Sequence, residues 1–146
     1  MTTIDNFLKA VDRYIEKYRR TDVPSLSIGQ LYDLKPDDAT HGPGWPDEWP
    51  NSERAGVYAI FDEDRQLLYV GKASMSNYLY ARLGEHFYSD ENRSCRIRKQ
   101  KWKEWKFIPK YVLTVGVPDT MKFEAPAIEE YLIWELNPTY NGQGKR

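Results

Sequence analysis

Two short apolar runs, Gly56 to Phe61 and Gln66 to Gly71, are separated only by the polar stretch Asp62-Glu63-Asp64-Arg65. Apolar runs of strand length around a short polar linker predict a β-hairpin. The hairpin brings two tripeptides together, Gly56-Val57-Tyr58 and Tyr69-Val70-Gly71. If it is symmetric about the linker, Tyr58 and Tyr69 face each other across the strands. Directly opposed residues hold their Cβ atoms about 4.5–5.5 Å apart, so two phenols would project side by side from one face. The glycines at the outer ends, Gly56 and Gly71, would let backbone or ligand approach closely.

A chain of 146 residues can bury one substantial core around this hairpin. With 40% hydrophobic and 14% aromatic residues, a packed fold is expected and disorder is not. No apolar run is long enough to span a bilayer, so no membrane association is expected. The opening Met1-Thr2-Thr3-Ile4-Asp5-Asn6 is polar and lacks a signal-peptide apolar region. The lone Cys95 has no internal disulfide partner and no surrounding Cys/His constellation. A cytoplasmic protein is the expectation.

The formal net charge of −1 conceals a local asymmetry. Residues 93–110 carry eight Lys/Arg against one Glu, a net of +7, while the rest of the chain is acidic. Concentrated positive charge points to an anionic partner. Trp102, Trp105 and Phe107 are interleaved with these cations, a pattern that suits nucleic acid as well as a half-buried face. The residues assigned to nucleic-acid binding are Arg93, Arg96, Arg98, Lys99, Lys101, Lys103 and Lys106.

Along the chain, Ile4, Phe7, Leu8, Val11, Tyr14, Ile15 and Tyr18 recur at helical spacing and predict an amphipathic helix over 4–20. Residues 21–54 read as irregular, with a Trp/Pro/Gly-rich loop at 41–50. Ser76-Asn77 reads as the cap of a helix over 78–88 with Leu79, Leu83 and Phe87 as its apolar ridge. Arg82 and His86, four residues apart, would be neighbours on it. Residues 110–117 read as a third strand, and a last helix approaches through Asp119-Thr120, tolerates Pro126 in its first turn and stops at Asn137-Pro138. The predicted fold class is α+β: a small antiparallel or mixed three-stranded sheet flanked by helices. Residues 1–53 would form a helical and Trp/Pro-rich extension packed on a core of residues 54–146.

In the last helix Ala125, Ile128, Leu132, Ile133 and Leu136 define an apolar stripe, and Glu129 falls near its middle. An ionised carboxylate facing a core costs several kcal/mol unless it is paired or metal-bound. Two readings fit equally: an ion pair with an arginine such as Arg82, or a metal ligand at a cleft.

Gly56-Val57-Tyr58, Tyr69-Val70-Gly71, an arginine in the next helix, a glutamate in a later helix and an asparagine in the tail occur here in one order. That order resembles the GIY-YIG nuclease superfamily, over roughly residues 54–142. Tyr58 and Tyr69 match the family's two tyrosines, and Lys72 the lysine that follows the second motif in its repair enzymes. Arg82 matches the family arginine, and His86 the histidine of its homing endonucleases. Glu129 matches the metal-binding glutamate, and Asn141, in Pro138-Thr139-Tyr140-Asn141, the family asparagine.

The resemblance implies a metal-dependent endonuclease that hydrolyses phosphodiester bonds in DNA and leaves 5′-phosphate and 3′-hydroxyl ends. Glu129 would hold Mg²⁺, with Mn²⁺ as a substitute. Tyr69 is favoured as the base that takes the proton from water, with Lys72 lowering its pKa, and Tyr58 is the rival. Arg82 would clamp the phosphate and His86 would position the nucleophile or touch a phosphate. Asn141 would orient Glu129 or tie down the tail. RNA is not excluded as substrate, and a homodimer or a targeting partner stays open. The alternative is a nucleic-acid-binding module on the same scaffold that does not cut.

Overall fold

The computed structural model describes residues 2–34, 51–89, 95–97, 106 and 108–142. The Trp/Pro-rich loop and most of the basic segment lie outside the described residues.

Helix α1 (Ile4–Tyr18) opens on a capping box in which Thr3 and Asn6 satisfy each other's backbone N–H groups. Its apolar side, Phe7, Ala10, Val11 and Tyr14, is buried. Two short strands follow, β1 (Ser27–Ile28) and β2 (Tyr32–Asp33). The hairpin strands are β3 (Gly56–Phe61) and β4 (Leu67–Ala73). Next come helix α2 (Leu79–His86) and the paired strands β5 (Phe87–Ser89) and β6 (Cys95–Ile97). Strand β7 (Tyr111–Gly116), a 3₁₀ turn (Asp119–Met121) and helix α3 (Glu124–Leu136) complete the order.

The central sheet is antiparallel, in the order β1-β7-β3-β4, and β2 also pairs with β7. The class is α+β, as expected, but the sheet has five strands rather than three. The two additions come from a stretch that reads as irregular. Two-residue strands carry no visible alternation of their own and exist because β7 offers them an edge.

One face of the sheet presents Val57, Ala59, Phe61, Val70, Leu113 and Val115 to α1 and α3 in a single buried cluster. The other presents Tyr58, Ile60, Leu68 and Val112 to Leu79 and Leu83 of α2, with Leu34 and Phe87. Helix α1 therefore shares one core with the hairpin and α3. The apolar stripe of α3 is buried as expected, and Asn137 ends the helix in the left-handed conformation at φ 53°.

A buried ion pair links α1 to α3. Arg19 donates from Nε and Nη2 to the two carboxylate oxygens of Glu124 at 2.7 and 3.0 Å, and Tyr14 Oη donates to Glu124 at 3.1 Å. Arg19 and Glu124 side chains are only 5% and 6% exposed. The carboxylate that the fold buries in an ion pair is thus Glu124, not Glu129.

Two helix boundaries differ from expectation. The residue capping α2 is Tyr78, not Ser76 or Asn77, and it offers no side-chain cap. Carbonyls from the preceding loop take that place: Leu79 N donates to Arg54 O at 2.9 Å and Tyr80 N to Ser52 O at 3.0 Å. The helix stops at His86 because Phe87 turns extended to pair with β6.

Candidate functional site

The register of the hairpin decides what the tyrosines do. Tyr58 pairs with Gly71, and Tyr69 with Ile60, so the expected direct opposition is offset by two residues. A register irregularity at Ile60/Phe61 supplies one residue of this offset, and the placement of the turn supplies the other. A shift of two preserves the face, because side chains alternate with period two. The rings therefore still meet, diagonally, with centroids 6.2 Å apart.

Gly71 makes this possible. A Cβ there would collide with the Cζ and Oη atoms of Tyr58, whose ring lies across the glycine. Gly56 serves backbone approach instead, since a Cβ there would strike the Val115 carbonyl of β7.

Tyr58 is fully buried, and its Oη lies 2.5 Å from Nε2 of His86, itself 0% exposed. The His86 ring also lies 5.9 Å from that of Tyr69, so three rings form one triangle. His86 is thus buried against Tyr58 and Tyr69, and the surface of the site is left to other side chains. The helical spacing of Arg82 and His86 does not make them a pair: His86 points into the sheet while Arg82 stays half-exposed.

Arg82 donates from Nε to the Lys72 carbonyl at 3.1 Å and from Nη1 to Glu85 at 2.8 Å. It sits beside the outer strand β4 and acts electrostatically on Tyr58, Tyr69 and Glu129. Glu129 is half-buried rather than central in the core. Burial pushes its pKa up, and Lys72 and Arg82 pull it back.

Burial, then the charge of Glu129, push the Tyr69 pKa above its ordinary value; Arg82 and a hydrogen bond with Tyr58 oppose them. Lys72 acts on Glu129, whose pKa its charge lowers. Tyr58 is pushed up further, chiefly by its deeper burial.

Asn141 holds the tail. Its Oδ1 accepts from Val70 N and its Nδ2 donates to Val70 O, both at 2.9 Å. Tyr140 N donates to Leu68 O at 2.8 Å. The tail so completes the outer edge of β4, which would otherwise present unpaired backbone groups. Of the two expectations for Asn141, tying down the tail is the one its contacts match.

Tyr69, Lys72, Arg82 and Glu129 thus gather around β4, with Tyr58 and His86 behind them. Lys106 is exposed, Arg96 lies in β6, and Arg93, Arg98, Lys99, Lys101 and Lys103 lie outside the described residues. The close approach expected at Gly71 is made by the Tyr58 ring rather than by backbone or ligand, and Glu124 was missed, for which an arginine near the end of α1 was the available signal.

Among the described residues no three His, Cys, Asp or Glu side chains gather to hold a metal. Glu129 nevertheless fits a hard cation held largely by water. Its carboxylate is partly desolvated, a state that a cation would relieve, and Mg²⁺ often binds through one or two carboxylates. No helix among the described residues is long and apolar enough to cross a membrane.

A hairpin-centred α+β sheet thus carries, beside one strand, a triad of tyrosine and histidine rings, an arginine and a partly buried glutamate. The chain belongs to the GIY-YIG family, whose catalytic-domain model matches residues 54–141. It is 34% identical over 90 residues to UvrABC system protein C of Porphyromonas gingivalis, in strains W83 and ATCC 33277. That match covers 61% of this chain and 13% of the relative's length. No solved structure matches the chain.

Proposed function

We propose that this chain is a metal-dependent endonuclease acting on DNA and leaving 5′-phosphate and 3′-hydroxyl ends. The observation that carries the reading is the grouping of Tyr69, Lys72, Arg82 and Glu129 around β4, in a chain of the GIY-YIG family.

Glu129 would hold Mg²⁺, or Mn²⁺ in its place. When bound, the cation would neutralise charge on the scissile phosphate and on the departing oxygen. Arg82 would leave Glu85 for the phosphate, where its planar fork matches two oxygens. Tyr69, the more accessible tyrosine, would take the proton of the attacking water. The water oxygen then bonds phosphorus, the P–O3′ bond breaks, and O3′ takes a proton from solvent water while Tyr69 returns its own to solvent.

His86 and Tyr58 have a supporting role in this reading. With the proton on Nε2, His86 donates to Tyr58 Oη, and Tyr58 donates in turn to Tyr69. That direction stabilises the Tyr69 phenolate and leaves Tyr58 a positioning residue. Lys72 steadies the Glu129 carboxylate, and Asn141 fixes β4 from the tail.

The test is cleavage of plasmid, linear, branched and single-stranded DNA, and of RNA, with Mg²⁺ or Mn²⁺. Metal-dependent cutting that vanishes in Glu129→Ala is expected. Equal cutting by Glu129→Ala would sink the mechanism. Salt-dependent binding without turnover in any metal would favour the non-cleaving module.

A further inference from the structure

Large apolar side chains gather in the open where the β4–α2 loop enters α2. Met75 is 63% exposed and Tyr80 52%, and the Tyr78 and Tyr80 rings lie 6.2 Å apart at an interplanar angle of 31°. From the turn before α3, Lys122 places its ammonium 5.2 Å from the centre of the Tyr78 ring. Its neighbour Phe123 is 66% exposed. None of these residues is used in the chemistry above.

The ledge is held firmly although its side chains are open. Leu79 N and Tyr80 N are tied to carbonyls of Arg54 and Ser52, and Asn77 N to Ser74 O. Met75 sits at φ 58°, a left-handed conformation that costs a non-glycine residue stability. Its exposed side chain recovers little of that cost by burial.

The ledge adjoins the candidate site. Arg82 N donates to Tyr78 O at 3.3 Å, so one helical turn separates the ledge from the proposed phosphate clamp. Tyr80 projects from another side of α2 than Arg82, but its ring meets that of Tyr78, which stands four residues from Arg82 and against Lys122. Nucleotides flanking a phosphate at Arg82 would run toward Tyr78, with Lys122 available to a further phosphate. Bases within a duplex have both faces stacked, whereas unpaired bases stack on protein aromatics.

We infer that Tyr78, Tyr80, Lys122 and Phe123 form a stacking platform for unpaired nucleotides beside the scissile phosphate, so that the substrate carries a single-stranded segment at the cleavage site. The inference rests on the nuclease reading and deepens it by naming the form of the substrate.

The experiment uses a single-stranded DNA oligonucleotide containing 2-aminopurine, and the same oligonucleotide annealed into full duplex. Both are titrated with the whole chain in EDTA. Tighter binding of the single strand, with quenched 2-aminopurine fluorescence, is expected. Tyr80→Ala and Phe123→Ala should each weaken it by about tenfold, and Tyr80→Phe should bind as wild type. Thermal unfolding checks that these exposed-site variants keep their fold.

Equal binding of single strand and duplex without quenching would overturn the inference. So would a Tyr80→Ala/Phe123→Ala protein that binds within about twofold of wild type, as a platform built for a protein partner would give. Cleavage of a substrate with a single-stranded gap, by wild type and Glu129→Ala in Mg²⁺, separates the two ideas. Binding and quenching without any cleavage leave the platform standing and sink the nuclease reading. Glu129-dependent cleavage that ignores Tyr80 and Phe123 sinks the platform alone.

Discussion

Nε2 of His86 lies 2.5 Å from Oη of Tyr58, and both side chains are fully buried behind the half-exposed ring of Tyr69. A buried hydroxyl and one nitrogen of a buried imidazole pair there, and of the two tyrosines the outer one is within reach of water.

Removing this contact tests its role. Tyr58→Phe keeps the ring and deletes the hydroxyl, leaving His86 Nε2 without this partner at a stability cost of about 1–3 kcal/mol. Under the proposed mechanism kcat falls by about ten- to a hundredfold while KM stays nearly constant, because the lost hydrogen bond acts through Tyr69. Steady-state kinetics beside thermal melts check both parts.

Gly71→Ala should destabilise the fold through one collision. Its Cβ meets the fully buried Tyr58 ring, and overpacking of this kind costs about 1–3 kcal/mol. Combined with Tyr58→Leu, the same substitution should cost clearly less than it does alone. Denaturant titration of the four proteins measures that coupling.

Arg19→Met strands the buried Glu124 carboxylate and should cost about 3–5 kcal/mol. Arg19→Met with Glu124→Leu removes both charges and should recover most of that loss. A double variant as unstable as the single would show that the pair supplies net stability rather than compensating for its own burial. Urea unfolding decides.

The same cluster sets a pH dependence. Burial, then the neighbouring Glu124 charge, push the Tyr14 pKa up to about 12 from an ordinary 10.0. A raised tyrosine pKa means that the folded state favours the neutral phenol. This contribution is complete below pH 10 and is lost as pH rises toward 12, by at most about 2–3 kcal/mol. Wild type should lose more stability than Tyr14→Phe over that interval, as followed by circular dichroism.

Asn141→Ala should free the tail from β4. Two hydrogen bonds to the Val70 backbone disappear, worth about 1–3 kcal/mol together. Faster amide exchange at Val70 is the direct readout. Exchange unchanged at that amide would show that Tyr140 and Thr139 hold the tail alone.

Much of this molecule was legible in its sequence, for local reasons. The helical periodicity of α1, the hairpin linker, the run that forms β7 and the Asn137-Pro138 stop each follow from a few adjacent residues. The motif order that resembles the GIY-YIG family was equally visible along the chain, and the match over residues 54–141 bears it out. The short strands β1 and β2 were not legible, because the pairing partner that makes them strands lies about eighty to ninety residues away.

Contact between distant elements was settled only by tertiary structure. Periodicity put Glu129 on the apolar stripe of α3, but only packing shows that it is half-buried near Lys72 and Arg82 while Glu124 takes the buried pair with Arg19. Equal spacing joined Arg82 to His86, but folding separates them, because one side of α2 lies on the sheet and the other borders solvent. The tyrosines were readable as a pair on one face because alternation along a strand is a local property. Their offset, the ring across Gly71 and the histidine behind it come from register and packing, which are fixed only when the strands and helices meet.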